Sequence, residues 1–164
     1  MVAVLVTGMS GVGSSTTLAE LARRGFAVVD TDHGGYSVES WSAEESRPEQ
    51  LWREDRIDAL LDEHEHRMPD EPLFVAGCVA NQGRFYPRFG AVVLLSAPVD
   101  VLLQRVATRR TNDFGKRSDE RERILADLAA IEPRLRAGAD AEIDTRAPVG
   151  EVADRLAEIA RQAS

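Results

Sequence analysis

The chain has 164 residues, of which 43% are hydrophobic, 29% charged and 5% aromatic. That length and balance fit one domain spanning the whole chain and exclude disorder, a fibrous repeat or a disulfide scaffold. Asp and Glu number 28 against 20 Lys and Arg, and the net charge of -8 argues against generic nucleic-acid binding, which needs a basic surface.

Residues 2–6 are apolar at consecutive positions, which predicts a strand buried on both faces. They run straight into glycines, too short and wrongly flanked for a signal peptide or a membrane span, so a cytoplasmic address is expected. Cys78 is the single cysteine, which suits a reducing compartment, and it reads as a small filler with no histidine partner to activate it. Further strands are predicted at 26–30, 73–77, 91–95 and 141–144, and helices at 15–24, 48–67, 99–110, 118–136 and 149–162. Ser118 ahead of an acidic run reads as an N-cap, and Pro98 and Pro148 stand just before their helices. Strands alternating with helices predict an α/β fold with a parallel sheet. His64 and His66 are two apart on a predicted helix and diverge, so with His33 they make no zinc spacing.

The strongest motif lies between the first strand and the first helix: Gly8, Ser10, Gly11, Val12, Gly13, Ser14, Ser15 and Thr16, with Met9 inside it. Glycines there turn backbone amides inward, and amides at a helix N-terminus cradle phosphate. Gly8, Gly13 and Ser15 fit the pattern G-x-x-x-x-G-K-[ST], but Ser14 stands where the lysine belongs. That lysine normally bridges the β- and γ-phosphates, and a serine hydroxyl does not replace its charge. Three accounts stay open. Another cation such as Lys116 or Arg105 takes the place, the protein turns over slowly or not at all, or the serine is an introduced replacement.

With this loop the chain resembles the small P-loop kinases, the shikimate kinase and nucleoside-monophosphate kinase group, over nearly its whole length. The resemblance implies a three-layer fold with a five-stranded parallel sheet, order 2-3-1-4-5, helices on both faces and a lid at about 111–118. It implies ATP and magnesium as cofactors, with Ser15 and Asp30 as the metal ligands. Asp30-Thr-Asp32 ends the second strand like the Asp-x-Asp of shikimate kinases, which gives Asp32 the acceptor hydroxyl. Trp52-Arg53 is similar to the Phe-Arg pair that grips a carboxylate, within a substrate region at about 34–67. Gly77 matches the family's glycine-rich acceptor loop, and Arg136 its later substrate arginine. Arg110 would stack on the base, Lys116 or Arg117 would close over the phosphates, and Pro148 would pack on the base. Asn81 to Tyr86 is unlike shikimate kinases and offers Arg84 to a different acceptor.

The implied activity is ATP-dependent transfer of the γ-phosphoryl group to a hydroxyl of a small metabolite. An alternative is a nucleoside-monophosphate or nucleoside kinase, with residues 34–67 over a base and Arg53 and Arg84 on a phosphate. A further alternative is a nucleotide-binding regulator with little turnover. The partners expected are a nucleotide and a small acceptor, without nucleic acid or membrane, for a monomer or homodimer.

Overall fold

A computed structural model describes residues 2–9, 11–108 and 118–163 of the chain. Its centre is a five-stranded parallel sheet. The strands are β1 (Ala3–Thr7), β2 (Ala27–Asp30), β5 (Leu73–Ala76), β6 (Ala91–Ser96) and β7 (Ala141–Asp144), in the order β2-β5-β1-β6-β7. This is the expected order and composition, shifted by a residue or so at the strand ends. The central strand β1 registers Val4 against Phe74 of β5 on one side and Ala91 of β6 on the other. All residues of β1, β5 and β6 are buried, as continuous apolar runs require.

Side chains alternate across each strand, so β1 feeds two separate cores. Val4 and Val6 join Leu18 and Leu21 of α1 (Ser14–Arg23) and Leu156 of α5 (Val149–Ala163), together with Leu102 of α3 (Val99–Thr108). Ala3 and Leu5 point the other way, to Ile57 and Leu61 of α2 (Glu54–Arg67) and to Trp52, Phe85 and Phe89. Phe85 lies in a 3-10 helix (Gln82–Arg88). The remaining helix, α4 (Ser118–Gly138), begins with Asp119 and Glu120 in its first turn.

One expected element is corrected. The helix predicted at 48–67 begins only at Glu54, and the segment before it is an antiparallel hairpin of β3 (Ser37–Ser42) and β4 (Arg47–Trp52). Pro48 sits in β4 opposite Trp41 rather than in the first turn of a helix. The chain switches at Arg53, extended at φ -76° and ψ 106°, and the helix opens on Glu54 and Asp55, acidic residues that favour a helix start. His64 is buried in α2 with Nε2 2.8 Å from the Glu71 carbonyl oxygen, a structural contact. Among the described residues no helix is long and apolar enough to cross a membrane.

Candidate functional site

The C-terminal ends of the central strands open into a cleft of about 1010 Å³, large enough for a nucleotide and a small acceptor together. Its floor is the turn from β1 into α1. Gly13, the N-cap of α1, has φ 87° and ψ 25°, a left-handed conformation that glycine adopts without strain. Gly8 is required for a different reason: a Cβ there would lie 2.6 Å from the Leu95 carbonyl oxygen at the end of β6. Gly8→Val should therefore push the loop off the sheet edge. The expected result is a lowered melting temperature together with weakened nucleotide binding, checked by thermal denaturation and calorimetry.

Beside the loop, the structure brings together the two residues expected to hold a metal. Ser15 Oγ donates to Asp30 Oδ2 at 3.3 Å, and Asp30 Oδ1 accepts the Asp32 backbone N–H at 3.1 Å. A hydroxyl and a carboxylate at the lip of a phosphate cradle are hard oxygen donors that fit magnesium, which takes one or two protein ligands and its remaining oxygens from phosphate and water. Asp32 lines the same cleft with His33. Desolvation pushes the Asp32 carboxyl above the usual carboxylate range although the residue as a whole stays open to the cleft. The neighbouring Asp30 carboxylate adds to the rise, and His33 opposes it.

Thr31, between the two aspartates, is wholly buried and fixes their backbone. Its Oγ1 donates to the Ala76 carbonyl at 2.8 Å and accepts the Trp52 indole N–H at 2.9 Å. A Cβ on Gly77 would collide with that Thr31 hydroxyl, so the tight spacing of β2, β5 and the indole needs glycine there. Cys78 follows, lining the cleft, with burial pushing its thiol up and keeping it protonated. Gln82 donates to Thr7 Oγ1 at 3.1 Å and accepts the Val79 N–H at 2.9 Å, fixing the loop after β5. Asn81 holds both backbone groups of Trp52, at 2.8 and 3.0 Å.

The far wall comes partly from α4 residues that sequence reasoning did not select and partly from the 143–148 segment that resembles an adenine loop. Asp127 and Ile131 of α4 line the cleft, and Arg47 Nη1 of the hairpin donates to Asp127 Oδ1 at 2.8 Å. Thr145, Arg146 and Ala147 follow β7 and form the other end. Pro148 lies next to them but outside the lining residues, and its carbonyl accepts the N–H groups of Glu151 and Val152. Arg105, one of the two cations named as stand-ins for the lysine, lies behind the glycine loop and lines the cleft. The other expected arginines are engaged elsewhere or stand outside the lining. Arg84 Nη1 is 3.0 Å from Glu54 Oε2, Arg136 is held by Glu142 and Glu132 at 2.7 and 2.9 Å, and Arg53 is exposed at the start of α2. Ser10, Arg110, Lys116 and Arg117, with residues 111–117 of the lid expected at about 111–118, lie outside the described residues.

A family model described as an AAA domain matches residues 4–126. No curated protein matches the chain. Among solved structures, the fold is similar to a shikimate kinase from Acinetobacter baumannii crystallised with shikimate, at 20% identity and TM-score 0.65, covering 97% of this chain and 92% of that one. A gluconokinase from Sinorhizobium meliloti is 23% identical with TM-score 0.57, covering 99% and 93% of the two chains. An unliganded sugar kinase from Janibacter is 21% identical with TM-score 0.58, covering 100% and 98%. The fold is that of the small P-loop kinases.

Proposed function

The chain belongs to the AAA domain family, and we propose that within it the protein transfers the γ-phosphoryl group of ATP to a hydroxyl of a small metabolite. The observation that carries this reading is the Ser15–Asp30–Asp32 arrangement beside the glycine loop: Asp30 accepts from the Ser15 hydroxyl and from the Asp32 backbone N–H, and Ser15, Asp30 and Asp32 all line the cleft. Asp32 accepts the acceptor's O–H and takes its proton as the new O–P bond forms and ADP departs. A carboxylate raised above its usual range is the better base for that step. Ser15 and Asp30 would hold magnesium, which when bound would supply charge neutralisation at the phosphate oxygens. Loop amides and the α1 N-terminus hold the phosphates.

Among the described residues nothing favours a nucleotide as acceptor, because Arg53 and Arg84, the two arginines that reading needs, do not line the cleft. Ser14 does favour the regulator reading, in which nucleotide binds without turnover.

The test is calorimetric titration with ATP and ADP, with and without magnesium, to millimolar ligand, joined to a coupled assay of ADP release over a panel of sugars, polyols and hydroxy acids. Binding with acceptor-dependent ADP release is the expected result. Binding without release over the whole panel selects the regulator. The absence of binding by either nucleotide overturns both. Ser14→Lys is expected to strengthen binding of ATP or raise turnover, because it restores a charge against the β- and γ-phosphates.

A further inference from the structure

The loop lacks its lysine, yet a guanidinium is fixed directly behind it. Arg105 projects from α3, and its Nη1 donates to the carbonyl oxygens of Gly11 at 3.2 Å and Val12 at 3.4 Å. The same Nη1 reaches Thr145 Oγ1 at 2.8 Å, and Nη2 reaches the Thr145 carbonyl at 2.6 Å. One side chain therefore joins the phosphate loop to the turn after β7, two cleft-lining segments that lie far apart in sequence. A Cβ built on Gly13 would stand 4.0 Å from Nη1, which places the charge against the residue that precedes Ser14. The other described arginine that lines the cleft, Arg146, is exposed and paired with Asp144 through Nε and Nη2.

The bonds have a directional consequence. In a trans peptide the carbonyl and the next N–H point to opposite sides. Holding the Val12 carbonyl back toward Arg105 turns the Gly13 N–H the other way. The Gly11–Val12 peptide is held at both ends, since the Val12 N–H donates to the Met9 carbonyl at 3.3 Å. Charge and orientation act in the same sense: a full positive charge stands behind peptides whose donors face away from it. Carbonyl and hydroxyl partners carry no charge to neutralise a guanidinium.

We propose that Arg105 supplies from behind the phosphate loop the fixed positive charge that a lysine at position 14 supplies from within it. The proposal rests on the nucleotide-binding reading and assigns a positioning and electrostatic role to a residue outside the glycine motif. It also explains how Ser14 is compatible with a phosphate site.

ADP titrations at low and high salt, on the unaltered protein, Arg105→Gln, Arg105→Lys and Arg105→Gln combined with Ser14→Lys, test it. Adenosine, followed by ligand-observed NMR, serves as the probe without phosphate. Arg105→Gln is expected to weaken ADP roughly tenfold or more and to flatten its salt dependence, with adenosine little affected. Arg105→Lys keeps the charge and is expected to keep most of the ADP affinity. Adding Ser14→Lys to Arg105→Gln is expected to restore it. Equal losses of ADP and adenosine in Arg105→Gln would make the arginine a brace between two loops and overturn the proposal. Arg105→Lys as weak as Arg105→Gln, or ADP affinity indifferent to all the changes, would also overturn it while leaving nucleotide binding intact. Failure of the unaltered protein to bind ADP or ATP would overturn the nucleotide reading and the proposal together.

Discussion

Asp32→Asn should lower phosphoryl transfer about 10²–10⁴-fold while leaving ADP affinity nearly unchanged, the pattern of a group that acts on the acceptor in the transition state. Steady-state rates against calorimetric ADP affinity separate the two quantities, and equal losses would move Asp32 into nucleotide or metal binding. The carboxyl lies above its usual range through burial and the Asp30 carboxylate. As a base it must be ionised, so kcat should rise with pH through that elevated value and fall away on its acid side. In the variant that acid limb should vanish. Stability moves the opposite way. A folded-state carboxyl pKa above the unfolded value means that ionisation opposes folding, a cost that is present at neutral pH and disappears as pH drops below the unfolded value. Replacing Asp32 by an uncharged isostere removes that cost, so the melting temperature of Asp32→Asn should hold or rise even as the rate collapses.

Trp52→Ala should destabilise the protein by about 3–5 kcal/mol and lower its melting temperature by roughly 10 °C. The side chain is 2% exposed and meets Phe85 edge-on at 5.7 Å and Phe89 at 6.4 Å between ring centroids. Deleting it opens a cavity in one of the two cores. It also leaves the buried Thr31 hydroxyl without its indole donor. Trp52→Phe should recover much of the packing but not that hydrogen bond, so its melting temperature should fall between those of the unaltered protein and Trp52→Ala. Because Thr31 sits between Asp30 and Asp32, loss of activity in Trp52→Phe should exceed what its remaining folded fraction accounts for.

Much of this architecture is legible in the sequence because a strand buried on both faces has nowhere to place a polar residue. Residues 3–7, 73–76 and 91–96 are accordingly apolar almost throughout. The hairpin gives no such signal. Val38 and Trp41 are 45% and 66% exposed, so neither face of the ribbon is marked by burial. Pro48 also imitates a helix start until the backbone shows it in register with Trp41. In the cleft, the glycine loop and the Asp30-Thr-Asp32 step are local patterns and could be read directly. The engagements of Arg84 and Arg136 could not, because Glu54 and Glu142 reach them only after folding. Glu132, one turn before Arg136, is the exception whose spacing was visible. Thr145 falls inside the 143–148 segment that resembles an adenine loop, whereas Asp127 belongs to no motif and enters the cleft through tertiary placement alone.

The hairpin is fastened unequally along its length. At its base, Trp52 is embedded in the core, Asn81 grips both of its backbone groups, and the Ala80 N–H donates to the Gln50 carbonyl at 3.0 Å. Near the turn, Arg47 meets Asp127 of α4 with side chains 32% and 24% exposed, and ion pairs within reach of solvent contribute about 0–1 kcal/mol. Parting the two ends therefore carries very different energies, several kcal/mol at one and close to thermal energy at the other. The hairpin is thus hinged on the core at Trp52 and, among the described residues, tied to α4 near its turn by the Arg47–Asp127 ion pair. Added salt should therefore loosen the Arg47 end of the hairpin well before it loosens the Trp52 end.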